Sequence, residues 1–206
     1  MNAPFKRIYL ASRSPRRREL LKQAGISFEI LLFREDSRRG VDVDESPAEQ
    51  ESPRDYVLRM ARIKTQAAAL RLAQRRLPLY PVLGADTTVI LDERILGKPT
   101  DADDAVAMLS TLSGRVHEVM TAVAVCRHDR LETRLSVSKV EFAPLTPVQI
   151  RQYVASGEAF DKAGAYAIQG QAGAFVTRLD GSYSGVVGLP LAETAGILAR
   201  LDLTVL

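Results

Sequence analysis

The sequence predicts an α/β fold built on a mixed β-sheet, and three observations carry that expectation. Capped helix starts recur along the chain, β-branched stretches lie between them, and the two kinds of segment follow no regular alternation. The predicted order is strand, helix, helix, strand, hairpin, helix, strands, helix, strands and helix, which a wholly parallel sheet does not accommodate. At 206 residues, 46% hydrophobic and 26% charged, the chain is long enough for one large domain or two small lobes around a real core.

The first strand-like stretch opens "YLASRSPRRRELLKQAG", Tyr9 to Gly25. The helix behind it is marked at both ends: Ser14 suits the cap, Pro15 the first helical position and Gly25 the position after the last turn, with Leu20, Leu21 and Ala24 facing inward. Ser52-Pro53 and Thr146-Pro147 repeat the device, opening helices from Ser52 to Leu72 and from Thr146 to Gly157. Between them "PVLGADTTVIL" (Pro81 to Leu91), "VHEVMTAVAV" (Val116 to Val125) and "RLSVSKVEF" (Arg134 to Phe142) read as strands by β-branched content and partial alternation. Thr100 or Asp101 opens another helix that runs through Leu112 and closes near Gly114, and a final helix follows Pro190. The polar, turn-rich stretch from Arg34 to Ser52 is expected to be a mobile loop.

Composition removes several classes of function. The net charge is only +3 with dispersed basic residues, and tryptophan is absent, so an extended nucleic-acid surface or base-stacking platform is disfavoured relative to a local anion site. Cys126 is the single cysteine and excludes an intramolecular disulfide. With only His117 and His128 beside it, zinc is disfavoured, and any metal is expected to be hard and carboxylate-bound. No signal peptide or long apolar run is seen, which points to a reducing cytoplasm and no membrane. The G-x-S-x-G elbow, a cysteine with a credible histidine partner and the H-E-x-x-H pair are all missing, so covalent hydrolase readings lose most of their support.

Several polar residues sit where local preference would not put them. Arg16, Arg17 and Arg18 crowd the positive end of a helix dipole. That segment is either a solvated basic turn or a phosphate cradle made of the Ser12 and Ser14 hydroxyls, free helix amides and the forks of Arg13, Arg16 and Arg17. Lys64 falls on the apolar stripe Val57, Ala61, Ala68 and Leu72, so it snorkels, pairs with a carboxylate or reaches a polar cavity. Asp86 stands inside an apolar strand, beside Thr87 and Thr88, unless the strand ends at Gly84 or Ala85 and Asp86 merely caps a turn. Lys98 adds a cation after an apparent hairpin. "DKAGAYAIQGQAG", Asp161 to Gly173, is either a glycine-rich connection or a loop whose backbone approaches a ligand, where the Gln169 amide offers both donor and acceptor to a base edge.

In order, "LASRSPRRRELL", "DVDES" with "YVLRMARIKTQAA", "LGADTTVIL", "GKP", "LSGRVHEVMTAV" and "DKAGAYAIQG…GSYSGVVGLPL" resemble the Maf family of nucleoside triphosphate pyrophosphatases, linked to septum-formation inhibition. The resemblance spans nearly the whole chain. It implies a single domain over residues 1–206 with a Maf/ITPase-like architecture: a mixed, twisted and elongated sheet flanked by helices, in two lobes around a central cleft. It also implies a cytoplasmic homodimer that hydrolyses a nucleoside triphosphate to the monophosphate and pyrophosphate with Mg²⁺ or Mn²⁺. Residue by residue, the family's features fall on Ser12, Arg13, Ser14 and Arg16, on Glu45, on Lys64, on Asp86 and Thr87, on Lys98 and on Gln169. Arginine in "SPRR", threonine in "ADTT" and glutamine in "AIQG" resemble the branch acting on dTTP and UTP.

On this reading Glu45 and Asp86 hold the metal, and Asp86 also orients or deprotonates the attacking water. Arg16, Lys64 and Lys98 stabilise the departing pyrophosphate, and Gln169 and Thr87 read the pyrimidine. Two rival classes stand beside it. A nucleic-acid-binding module would use the arginines on phosphates and have no need of Asp86. A nucleotide-sensing regulator of division would keep every binding residue without turnover.

Overall fold

The computed structural model describes residues 7–32, 43–201 and 203. Residues 34–42 of the expected mobile loop therefore lie outside the described residues, and residues 43–52 form neither helix nor strand. The elements run β1 (Arg7–Leu10), α1 (Pro15–Gln23), β2 (Ser27–Ile30), α2 (Pro53–Gln74), β3 (Val82–Leu91), β4 (Arg94–Leu96), α3 (Ala102–Leu112), β5 (Val116–Arg127), β6 (Arg130–Phe142), α4 (Pro147–Ala155), β7 (Val176–Asp180), α5 (Tyr183–Val187) and α6 (Leu191–Arg200). Two short 3-10 turns, Ala163–Ala165 and Gln171–Phe175, take the place of a plain glycine-rich connection.

The sheet is mixed, as expected. Strands follow the order β2-β1-β3-β5-β6-β7, with β4 on β3. β1 pairs in parallel with both β2 and β3, whereas β3 pairs antiparallel with β4 and β6 with β7. Sequence reading missed β2 and ended the helical signal at Gly25 without a strand behind it. The structure shows Gly25 at φ 68, where the chain turns out of α1 so that Ser27 comes to lie beside Arg7.

The helix starts follow from their caps. Ser14 Oγ accepts from the Arg17 amide at 3.4 Å, Ser52 Oγ from Asp55 at 3.1 Å and Asp101 Oδ1 from Asp104 at 2.8 Å. Thr146 and Gln149 close a reciprocal capping box, with Gln149 Oε1 accepting from the Thr146 amide at 2.8 Å.

The chain divides into two compact units. The first comprises the chain up to Asp86, Thr121–Leu135 and the chain from Gly188 onward; the second comprises Thr87–Met120 and Ser136–Val187. In the first, Tyr9, Ala11, Leu31, Ala68, Leu72 and Val82 pack β1, β3 and α2 together. The second has a larger core, in which α3 and α4 pack on Phe142, Val140, Val89 and Leu91. No helix among the described residues is long and apolar enough to cross a membrane.

Candidate active site

In the first unit the misplaced lysine and the misplaced aspartate meet. The buried face of α2 is Val57, Met60, Ala61, Lys64, Thr65, Ala68, Arg71 and Leu72, so Lys64 sits on the apolar stripe as its spacing predicts. It does not snorkel: Lys64 is 8% exposed and its Nζ donates to Asp86 Oδ1 at 2.7 Å. Asp86 is not a strand terminus either, since it lies inside β3 and is 9% exposed. Burial of each charge is tolerable because the other is there.

Backbone approach sets this meeting. Gly84, two residues before Asp86 and so on the same face of β3, has no side chain to hold α2 away. A Cβ there would stand 3.1 Å from the Thr65 nitrogen and 3.3 Å from the Ala61 carbonyl, besides colliding with Thr65 Oγ1. That hydroxyl is held by the carbonyls of Ala61 at 2.7 Å and Ala124 at 3.3 Å. Thr65 thus docks α2 on the sheet one residue from Lys64.

Glu45 completes the group from the segment preceding α2. Its Oε1 lies 2.9 Å from Lys64 Nζ while half its side chain remains exposed. One ammonium therefore stands between two carboxylates. The phenol of Tyr56 donates to the Glu45 carbonyl at 3.0 Å, and burial followed by the charges of Asp86 and Glu45 pushes that phenol up to about 12. Sequence reasoning did not single out Tyr56, and a tyrosine in the first turn of a helix carries no signal for it.

The start of α1 belongs to the same unit. Ser12 is 5% exposed, and its Oγ accepts from the Ser14 amide at 3.2 Å and from Arg17 Nη1 at 3.2 Å. Arg17 Nε donates to the Gly188 carbonyl at 2.8 Å, which anchors the guanidinium. Desolvation lowers the Arg17 pKa, the Asp86 charge opposes that shift, Arg16 adds to it and Glu45 again opposes it. Arg17 thus shares a field with both carboxylates. Arg16 is half-buried and Arg13 exposed. Of the three arginines crowding the helix start, Arg17 bonds to Ser12 and to the Gly188 carbonyl, and Arg18 Nη2 donates to the Arg13 carbonyl at 3.5 Å.

Thr87, Lys98 and Gln169 belong to the second unit. Thr87 is half-buried in β3, and Lys98 and Gln169 are exposed. Their segments are pinned together where the Gly164 amide donates to the Gly97 carbonyl at 2.9 Å. Gly164 takes φ 67 and packs against Val89, where a Cβ would come within 3.0 Å of the valine. The glutamine loop is held by Glu158, whose carboxylate accepts from the Tyr153 hydroxyl at 3.1 Å and from the Gln171 amide at 3.1 Å. Tyr153 Oη in turn accepts from the Ala167 amide at 3.3 Å. Neither Glu158 nor Tyr153 was legible as a loop support, because both lie on or beside a helix that reads as ordinary.

Among the described residues no three His, Cys, Asp or Glu side chains gather as a metal would need. Two hard carboxylates, Glu45 and Asp86, converge on one point. The chemistry of that donor set suits a hard cation that also takes phosphate oxygens.

The family model described as "Maf-like protein" matches residues 7–201. A protein of Nitrosomonas europaea named dTTP/UTP pyrophosphatase is 57% identical over 198 residues, covering 96% of either chain. One of the same name from Aromatoleum aromaticum is 55% identical over 193 residues, covering 93% of this chain and 94% of that one. Among solved structures, a HAM1 protein from Coxiella burnetii shares the fold, with a TM-score of 0.53 and 16% identity over 95% of this chain and all of that one.

Proposed function

Since the chain belongs to the Maf family, we propose that it is a nucleoside triphosphate pyrophosphatase, hydrolysing dTTP and UTP to the nucleoside monophosphate and pyrophosphate. The observation that carries this reading is the single ammonium of Lys64 between the carboxylates of Asp86 and Glu45, in one unit with an arginine-rich helix start. A triphosphate is strongly anionic, so its cleavage calls for cations around the phosphates and a base for water.

Each group then has a task. The Ser12 and Ser14 hydroxyls, the Arg16 amide at the start of α1, and the Arg13 and Arg16 side chains bind phosphate oxygens, with Arg17 holding Ser12 in place. Asp86 takes a proton from the water whose oxygen bonds to the α-phosphorus. The bond from that phosphorus to the bridging oxygen breaks, and the electron pair leaves with pyrophosphate, whose charge Arg16, Lys64 and Lys98 offset. Glu45 and Asp86 would hold Mg²⁺ or Mn²⁺ together with substrate oxygens, and the ion supplies further charge neutralisation at the phosphates. Thr87 and Gln169 read the pyrimidine, whose N3 hydrogen and O4 match the donor and acceptor of one amide.

The same reading takes the protein as a cytoplasmic homodimer, as the family resemblance implies, with no stable nucleic-acid partner, in keeping with its dispersed basic residues. The test is pyrophosphate release by the purified protein from dTTP, UTP, CTP, dATP, GTP and 7-methyl-GTP with Mg²⁺ or Mn²⁺. Release confined to dTTP and UTP is expected. Binding of nucleotides without release from any of them would favour a sensor over an enzyme.

A further inference from the structure

Residues 43–52 carry Glu45 to Lys64 with no helix or strand of their own. What holds them is a side chain of α2. Arg59 grips Glu51 with both arms of its fork, Nε to Oε1 at 2.6 Å and Nη2 to Oε2 at 2.6 Å. The same Nη2 donates to the Ser46 carbonyl at 3.0 Å. The guanidinium carbon lies 5.6 Å from the centre of the Tyr56 ring, and Tyr56 donates to the Glu45 carbonyl. Glu51, its side chain 9% exposed, also accepts from the Ala48 amide at 3.0 Å.

Each of these bonds ends on the segment carrying Glu45 or on the tyrosine that fastens it. A planar fork that meets a carboxylate bidentately fixes orientation as well as distance, which a lysine ammonium would not. The pairing holds Glu51 well below the usual carboxylate range, at about 2, so this grip is closed at neutral pH.

We propose that Arg59 is a positioning residue for the reaction: through Glu51, the Ser46 carbonyl and Tyr56 it fastens the 45–51 segment to α2 and so aims the Glu45 carboxylate at Lys64 and Asp86. This rests on the reading above, in which Glu45 serves the hydrolysis. Arg59 itself touches neither substrate nor reacting atoms.

The test is a set of variants assayed for pyrophosphate release from dTTP: Arg59→Ala, Arg59→Lys, Glu51→Gln, Glu45→Gln and the double variant Arg59→Ala/Glu45→Gln. Arg59→Ala is expected to lower kcat about 10- to 100-fold, as displacement of a reacting group by around an ångström does. Arg59→Lys and Glu51→Gln should fall between it and the wild type. In the Glu45→Gln background, Arg59→Ala should cause no further loss, because what Arg59 aims is already gone. Amide exchange over residues 46–51 should quicken in Arg59→Ala. Wild-type kcat in Arg59→Ala, or losses that multiply in the double variant, would overturn the positioning role while leaving Glu45 in place. Wild-type turnover in Glu45→Gln would overturn the role of Glu45 and this proposal with it. Should Arg59→Ala fail to fold, Arg59→Lys and Glu51→Gln carry the same comparison with Glu45→Gln.

Discussion

Lys64 and Asp86 lie 22 residues apart in the chain, yet Lys64 Nζ stands 2.7 Å from Asp86 Oδ1 with each side chain little more than a tenth exposed. Neither charge would be tolerable there alone. The glycine at position 84 lets α2 sit on β3 closely enough for the two to meet, and Glu45 reaches the same ammonium from outside.

Removing the ammonium isolates a buried carboxylate. Lys64→Met is expected to destabilise the protein by about 3 to 5 kcal/mol, the range for breaking a buried pair from one side. Adding Asp86→Asn to Lys64→Met should recover part of that loss, because the stranded charge is then gone. Urea denaturation of the two variants beside the wild type checks both expectations.

A methyl group at position 84 pushes the helix away. Gly84→Ala is expected to cost about 1 to 3 kcal/mol through overpacking against Thr65 and Ala61. It should also reduce turnover, since widening the gap between α2 and β3 separates Lys64 from Asp86. Thermal melts and pyrophosphate release read the two effects separately.

Acid weakens the second unit through His117. Its Nε2 meets the Tyr166 hydroxyl at 2.8 Å, its Nδ1 is buried with no partner, and burial pushes its pKa from 6.5 down to about 4. Between those values the unfolded chain takes up a proton that the folded chain refuses. The stabilisation is therefore complete above pH 6.5 and is lost as pH falls towards about 4, on the order of 3 kcal/mol in all. His117→Gln stays neutral across that window, so its stability should fall less between pH 7 and pH 4 than that of the wild type.

The glutamine loop offers a test of base reading. A Cβ on Gly170 would collide with the Glu158 carboxylate that supports the loop, so Gly170→Ala displaces the residue next to Gln169. The expected result is a rise in KM for dTTP of about tenfold with a smaller change in kcat, the signature of lost binding. Steady-state kinetics with dTTP decides it.

The sequence carried the mixed sheet and every long helix because their signals are local. Ser14, Ser52 and Thr146 cap where they stand, and Gly25, Gly114 and Gly157 take positive φ just beyond three helix ends. β2 escaped because "SFEI" is short, exposed for the most part and recognisable only by its pairing with β1. The site was legible one residue at a time: Lys64 and Asp86 each broke a local rule, and breaking it is informative without naming the partner. Partnership needed the tertiary structure. Arg59 broke no rule at all, since an arginine on a helix is usually solvated, and its grip on Glu51 and Ser46 exists only once the segment before α2 folds back.

Single-turnover release from dTTP by Asp86→Asn tests most directly whether Asp86 is the base of a pyrophosphate-releasing reaction. A loss of about 10²-fold or more in rate is expected, with dTTP binding kept within a few-fold of the wild type. Release by Asp86→Asn at close to the wild-type rate would contradict that role.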